Sequence, residues 1–264
     1  MVYVALLIEY NGGFAAGWQQ QPGLVTVESE IIKAIKTCTG QVVDYIDCAG
    51  RTDKGVHAVG QIIGFQTHIT RESVKWLTGL NHFLPPWIRV IRSWTLLDES
   101  FHPRFGAIAR TYRYYLKKSK VHYPLFSGAV TPYFGELDDR ILVELANYIV
   151  GTHNFSAFRS GSCQAHSPIK TCYQARWERK GAFLVFEITA NAFLHHMVRY
   201  LVGTQLRVAK GEKSITWFKD LLENRTKQDD CAPPEGLYLC QVRYQENSPV
   251  QGEFRYPWFD DNSF

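Results

Sequence analysis

Ten consecutive residues, Ala49-Gly50-Arg51-Thr52-Asp53-Lys54-Gly55-Val56-His57-Ala58, hold the chain's densest set of groups able to do chemistry. One carboxylate, Asp53, stands between Gly50 and Gly55, with Arg51 and Lys54 as cationic neighbours. Glycine supplies backbone freedom and lets another molecule come close, and loops on a rigid sheet are where reactive groups tend to sit. The segment has two readings: a glycine-punctuated hairpin with a solvated acid, or a single acidic nucleophile presented to a ligand. The second requires an ionised acid, and a nearby guanidinium favours that form by about one to three pKa units. Arg199 is a candidate, at the end of the otherwise apolar run Asn191-Ala192-Phe193-Leu194-His195-His196-Met197-Val198-Arg199. A cation on such a helix either takes a carboxylate partner or snorkels to solvent.

Other constellations are weaker. On a helix, the adjacent His195 and His196 would leave about 100° apart and could not readily share a metal. The chain has no G-x-S-x-G, no phosphate-binding Gly-rich loop before a helix and no Cys-x-x-Cys among its six cysteines. Structural zinc is not expected, and the cysteines read as reduced and buried.

The elements that must position Asp53 follow from hydrophobic period. Val2–Glu9 reads as a strand, Val27–Cys38 as a helix, Val42–Asp47 and Val59–Thr67 as strands around the Asp53 turn. A helix near Glu72–Asn81, stopped by Pro85-Pro86, precedes a strand at Ile88–Leu96. The order is β-α-β-β-α-β, and it recurs. Ala109–Lys117 is a strand with Tyr112 and Tyr114 on one face and Arg113 and Tyr115 on the other. A helix over Asp138–Val150, strands at Lys170–Glu178 and Phe183–Thr189, a helix from Ala192 to Val208 and a strand at Leu237–Arg243 follow, with an extra helix at Ser214–Glu223. The expected fold is therefore α+β: two ferredoxin-like halves with antiparallel sheets forming a central cleft, also the fold of RNA-recognition modules. The boundary falls near Leu97–Phe105, giving domains 1–103 and 104–264, with Gln245–Phe264 wandering over the surface.

At 264 residues, 45% hydrophobic and 20% charged, the chain has an ordinary soluble composition. Its net charge of +4 is too small to diagnose a nucleic-acid partner. Its distribution says more: Ser100–Tyr123 has no acid, while Arg104, Arg110, Arg113, Lys117, Lys118 and Lys120 alternate with Phe101, Phe105, Tyr112, Tyr114 and Tyr115. That strip is either a solvated basic face or a site for a polyanion with stackable bases. Val2–Tyr10 reads as a strand rather than a signal peptide, and no apolar run approaches the ~20 residues of a membrane span. A cytoplasmic location is the expectation.

Ala49–Ala58 resembles the signature of the tRNA pseudouridine synthase A family. So do Glu9-Tyr10-Asn11-Gly12 with Gly17-Trp18-Gln19, Phe101-His102-Pro103-Arg104-Phe105, Ala109–Tyr114, Asn154–Phe158, Asn191–Arg199 and Glu235–Leu239, in order along the chain. Lys54 and Glu28 depart from the family's common Ala and Gln. The resemblance implies a cofactor-free isomerase that converts uridine to pseudouridine at positions 38, 39 and 40 of the tRNA anticodon stem-loop. It implies Asp53 as the nucleophile, attacking ribose C1′ or base C6, and Arg51 holding the target base out of the helix. Tyr112 would pack on the flipped base and Arg199 would pair with the nucleophile. Two copies forming a homodimer on one tRNA are implied as well. The rivals are a non-catalytic RNA-binding module, which has no use for Asp53, and a glycoside hydrolase, which needs a second acid about 5–10 Å away.

Overall fold

The computed structural model describes residues 1–97, 101–161, 163, 165–224, 230–257 and 259–260. The strands are β1 (Val2–Tyr10), β2 (Asp47–Cys48), β3 (His57–Thr67), β4 (Ile88–Leu96), β5 (Ala109–Lys118), β6 (Thr131–Tyr133), β7 (Gly151–Asn154), β8 (Ile169–Lys180), β9 (Phe183–Ala190) and β10 (Leu237–Arg243). The helices are α1 (Val27–Thr39), α2 (Ser73–Phe83), α3 (Asp139–Ile149), α4 (Met197–Ala209) and α5 (Ile215–Asn224). The architecture is mixed α+β with mostly antiparallel strands. Two compact units divide it: residues 1–108 with 238–264, and residues 109–237.

In the first unit β1 lies between β4 and β3, antiparallel to both, with Val4 opposite Phe65 and Thr95. β2 adds to β3 antiparallel, and β10 pairs with β3 in parallel through Tyr238–His57 and Leu239–Ala58. The sequence did not announce that last pairing. Thr26 caps α1 through a reciprocal bond pair with Ser29, and Gly40 ends it at φ 76°. Its buried stripe of Val27, Ile31, Ala34 and Ile35 has helical spacing, and Trp76 of α2 meets Phe65 of β3 edge-on at 5.6 Å. Apolar residues of β1 and β3 are almost wholly buried, which makes this sheet a stiff support.

In the second unit the order is β5-β9-β8-β7, antiparallel from β5 to β7, with β6 added to β5 in parallel. Asp138 caps α3 by accepting the N–H groups of Arg140 and Ile141.

Several expectations shift. The strand expected over Val42–Asp47 contracts to Asp47–Cys48. Val43, Ile46 and Cys48 turn inward without a strict alternation, so the run packs as irregular chain. The helix expected from Ala192 starts at Met197 instead. Asn191 Oδ1 accepts the N–H groups of Ala192 and Thr171, which bends the chain, and His196 takes a left-handed φ of 66°. Residues 245–257 do not wander, and residues 258 and 261–264 of that expected tail lie outside the described residues. Val250 is buried, Arg255 N–H donates to Cys240 C=O at 3.1 Å, and a Cβ on Gly252 would sit 1.9 Å from Val242 O. The six cysteines are free thiols, and no helix among the described residues is long and apolar enough to cross a membrane.

Candidate active site

The four expected site residues divide between the units, with Arg51 and Asp53 in the first and Tyr112 and Arg199 in the second. β2 delivers the chain to the Asp53 loop and β3 takes it away. Asp53 C=O accepts the Val56 N–H at 3.1 Å, closing a turn whose third residue, Gly55, has φ 81°. A positive φ there calls for glycine. The preceding residues are pinned from three sides. Thr52 Oγ1 and Tyr10 OH share a buried bond of 2.7 Å. Thr52 C=O accepts the Trp18 N–H at 3.0 Å. Gln61 Oε1 accepts the Gly50 N–H at 3.3 Å, while its Nε2 donates to Gly50 C=O at 2.5 Å.

The Asn11-Gly12 and Gly17-Trp18 segments explain themselves in this loop. A Cβ on Gly12 would fall 1.9 Å from Val56 O, and Gly12 N–H donates to His57 Nδ1 at 3.1 Å. Gly17 has φ 104°, and a Cβ there would fall 3.2 Å from both Lys54 N and Thr52 O. The unusual Glu28 is buried and accepts the Gln20 N–H at 2.8 Å, a bond that fixes the neighbouring loop. The result is a rigid loop that leaves Asp53 half-buried and Arg51 exposed.

In the second unit, Tyr112 is buried on β5 and meets Phe193 edge-on at 4.9 Å. Tyr114 shares its face. Burial pushes the Tyr114 phenol up, opposed by its bond to Thr131 and by the Arg199 charge, which acts on this face. Arg199 lies in the first turn of α4; its Nε donates to Ala232 C=O at 2.8 Å and its own C=O accepts the Ala232 N–H at 3.0 Å. A cation at a helix N-terminus opposes the helix dipole, so this position suits a residue meant to meet an anion.

The basic strip needs correcting. Arg113 is 1% exposed and its Nε donates to Glu187 at 2.7 Å, with Arg176 on the same carboxylate at 3.0 Å. Buried and paired, it cannot face a polyanion. Lys117 lies over the rings of Phe126, Phe183 and Tyr123. Arg104 and Phe105 remain exposed. His195 and His196 lie before α4 rather than on it, and their ring centroids are 4.0 Å apart, so helical geometry does not separate the two imidazoles as expected. Tyr10 and Gln61 were missed as site residues. Gln61 carried a signal, a polar residue inside the apolar run Val59–Phe65, because a buried amide must find partners.

The first unit thus presents one half-buried acid on a loop held by Tyr10, Trp18 and Gln61. Residues 145–245 match the model of a family described as tRNA pseudouridine synthase. The tRNA pseudouridine synthase A of Colwellia psychrerythraea is 39% identical over 246 residues, 92% of this chain and 94% of that protein. The proteins of the same name from Shewanella frigidimarina and Pseudoalteromonas atlantica are 39% and 40% identical, each over 92% of this chain. The chain belongs to the tRNA pseudouridine synthase A family, a family of isomerases.

Proposed function

We propose that this tRNA uridine-to-pseudouridine isomerase acts at positions 38, 39 and 40 of the anticodon stem-loop, as a cytoplasmic homodimer, with Asp53 as its nucleophile. Each half is read as ferredoxin-like; in the first, the order β1-α1-β2-β3-α2-β4 and the strand order β4-β1-β3-β2 support that reading.

The observation that carries the proposal is the Asp53 loop: one acid, half-buried, on backbone held by Tyr10, Trp18 and Gln61. Covalent catalysis divides one hard step into easier ones. The Asp53 carboxylate attacks C1′ with loss of the N1–C1′ bond, or adds to C6 before that bond breaks. The uracil then turns, C5 bonds to C1′, the bond to Asp53 breaks to restore the carboxylate, and loss of the C5 proton is matched by protonation of N1, giving an isomer of the starting nucleoside. Arg199 is the cation that keeps the acid ionised. Arg51, exposed beside Asp53, holds the extruded base, since a paired base hides its glycosidic bond. Tyr112 packs against that base and accepts the C5 proton.

Incubation with uridine-containing tRNA transcripts, followed by mapping of pseudouridine, tests this. Product at 38–40 is expected, with Asp53→Ala abolishing product and preserving RNA binding. Modification at position 55, release of free uracil, or an active Asp53→Ala enzyme overturns it.

A further inference from the structure

Asp47, in the strand that leads into the Asp53 loop, is the hub of a cluster outside the proposed catalytic set. The Tyr3 hydroxyl, whose ring crosses Gly64, donates to Asp47 Oδ2 at 3.0 Å. His102 Nε2 is 3.3 Å from Oδ1, and burial, with Asp47 acting in the same direction, pushes the Tyr45 phenol up. His102 Nδ1 accepts the backbone N–H groups of Arg104 at 3.1 Å and Phe105 at 3.4 Å. Its lone pair is therefore at Nδ1 and its proton at Nε2, aimed at Asp47. Gly106 N–H closes the turn on His102 C=O at 3.0 Å, and Tyr244 OH donates to Pro103 C=O at 2.8 Å.

This fixed turn carries Phe105 77% exposed, with the Arg104 guanidinium 5.5 Å from its ring centroid. Tyr45 is 58% exposed nearby. Burial pushes the Cys48 thiol up to about 12, and the charges of Arg51 and Arg104 act against that. Of the two carboxylates that act on Cys48, Asp47 accepts from Tyr3 OH and faces His102 Nε2, and Glu28 accepts from Gln20 N–H. The exposed side chains of this turn are the Phe105 ring and the Arg104 guanidinium beside it. An unpaired nucleotide matches both, by stacking and by its phosphate.

Resting on the pseudouridine-synthase reading, we infer that the His102–Phe105 turn binds an unpaired nucleotide of the substrate RNA next to the target uridine, its base on Phe105 and its phosphate on Arg104. Asp47 and His102 are positioning residues for that turn.

Binding of a labelled, unmodified tRNA transcript to the full chain, titrated over salt, tests this. Phe105→Ala should bind roughly tenfold more weakly, within the range of one stacked base, with the salt slope unchanged and Phe105→Trp restoring affinity. Arg104→Ala should lower the slope by about 0.7, one single-strand phosphate contact. In turnover the Phe105→Ala loss should appear in KM. The exposure of Phe105 leaves the fold indifferent to its removal, which unchanged thermal unfolding would confirm. Wild-type affinity in Phe105→Ala overturns the inference, as does a loss of self-association in place of RNA binding, which would assign the surface to a second copy. Failure of the wild-type chain to convert uridine while binding still depends on Phe105 would sink the catalytic reading alone.

Discussion

Replacing Gln61 with Leu would unfasten the Asp53 loop without touching the acid. Gln61 is fully buried, and its amide makes both Gly50 bonds plus a long 3.5 Å contact to Tyr10 OH. A neutral hydrogen bond is worth about 0.5–1.5 kcal/mol net, and a stranded buried group costs about 1–3 kcal/mol. Two lost bonds, with Gly50 partly able to recruit water, give a destabilisation of about 2–4 kcal/mol. That is within the roughly 5–15 kcal/mol that domains hold in reserve, so the variant should fold. Gly50 lies three residues before Asp53, and a shift of about 1 Å at a reacting group can cost roughly 100-fold in rate. Urea unfolding should show the lower stability, and single-turnover pseudouridine formation a rate loss of that order with tRNA affinity nearly unchanged. Gln61→Glu, which keeps the acceptor for Gly50 N–H, should fall between. Wild-type stability and rate in Gln61→Leu, or a loss confined to KM, would refute the reasoning.

Three further outcomes follow from packing and charge. Arg113→Met should cost about 3–5 kcal/mol by leaving Glu187 with only its partly exposed Arg176 partner, and Arg113→Met/Glu187→Leu should recover much of that in urea unfolding. Gly60→Ala puts a Cβ 2.3 Å from Cys240 O where β3 meets β10, so a stability loss of about 1–3 kcal/mol or more and a lower melting temperature are expected. Burial raises the Cys48 and Cys172 thiols from 9.0 to about 12, which favours the protonated folded state. Their contribution is complete below pH 9 and is lost between 9 and about 12, so the urea midpoint should fall across that window, and less steeply in Cys172→Ala.

Where side chains repeat with a clean period, the sequence is transparent. Ile88–Leu96 is a strand over the expected residues, and Val27 onward forms the expected helix because its apolar stripe and Thr26-Ser29 cap agree. It is opaque where a few local bonds override the pattern. Apolar residues from Ala192 on suggest helix, yet the Asn191 amide and the left-handed His196 delay it by a turn and remove the basis for treating the two histidines as helical neighbours. Tertiary contacts are opaque for the same reason. Arg113 reads as one cation among many in a strip, and only the β5–β9 register, which places Glu187 opposite it, reveals an internal ion pair. Asp53 stands out in the sequence as an acid between two glycines, whereas the hold of Tyr10 and Gln61 on its loop joins backbone distant in sequence.

The unit that bears Asp53 is discontinuous, since β10 and the segment anchored to it are made after 109–237. On the ribosome, chain grows at about 5–20 residues per second, so the first hundred residues wait on the order of ten seconds for their final strand. During that interval β3 has a bare edge along His57 and Ala58. Nascent protein therefore carries the Asp53 loop beside an incomplete sheet until β10 is made and docks.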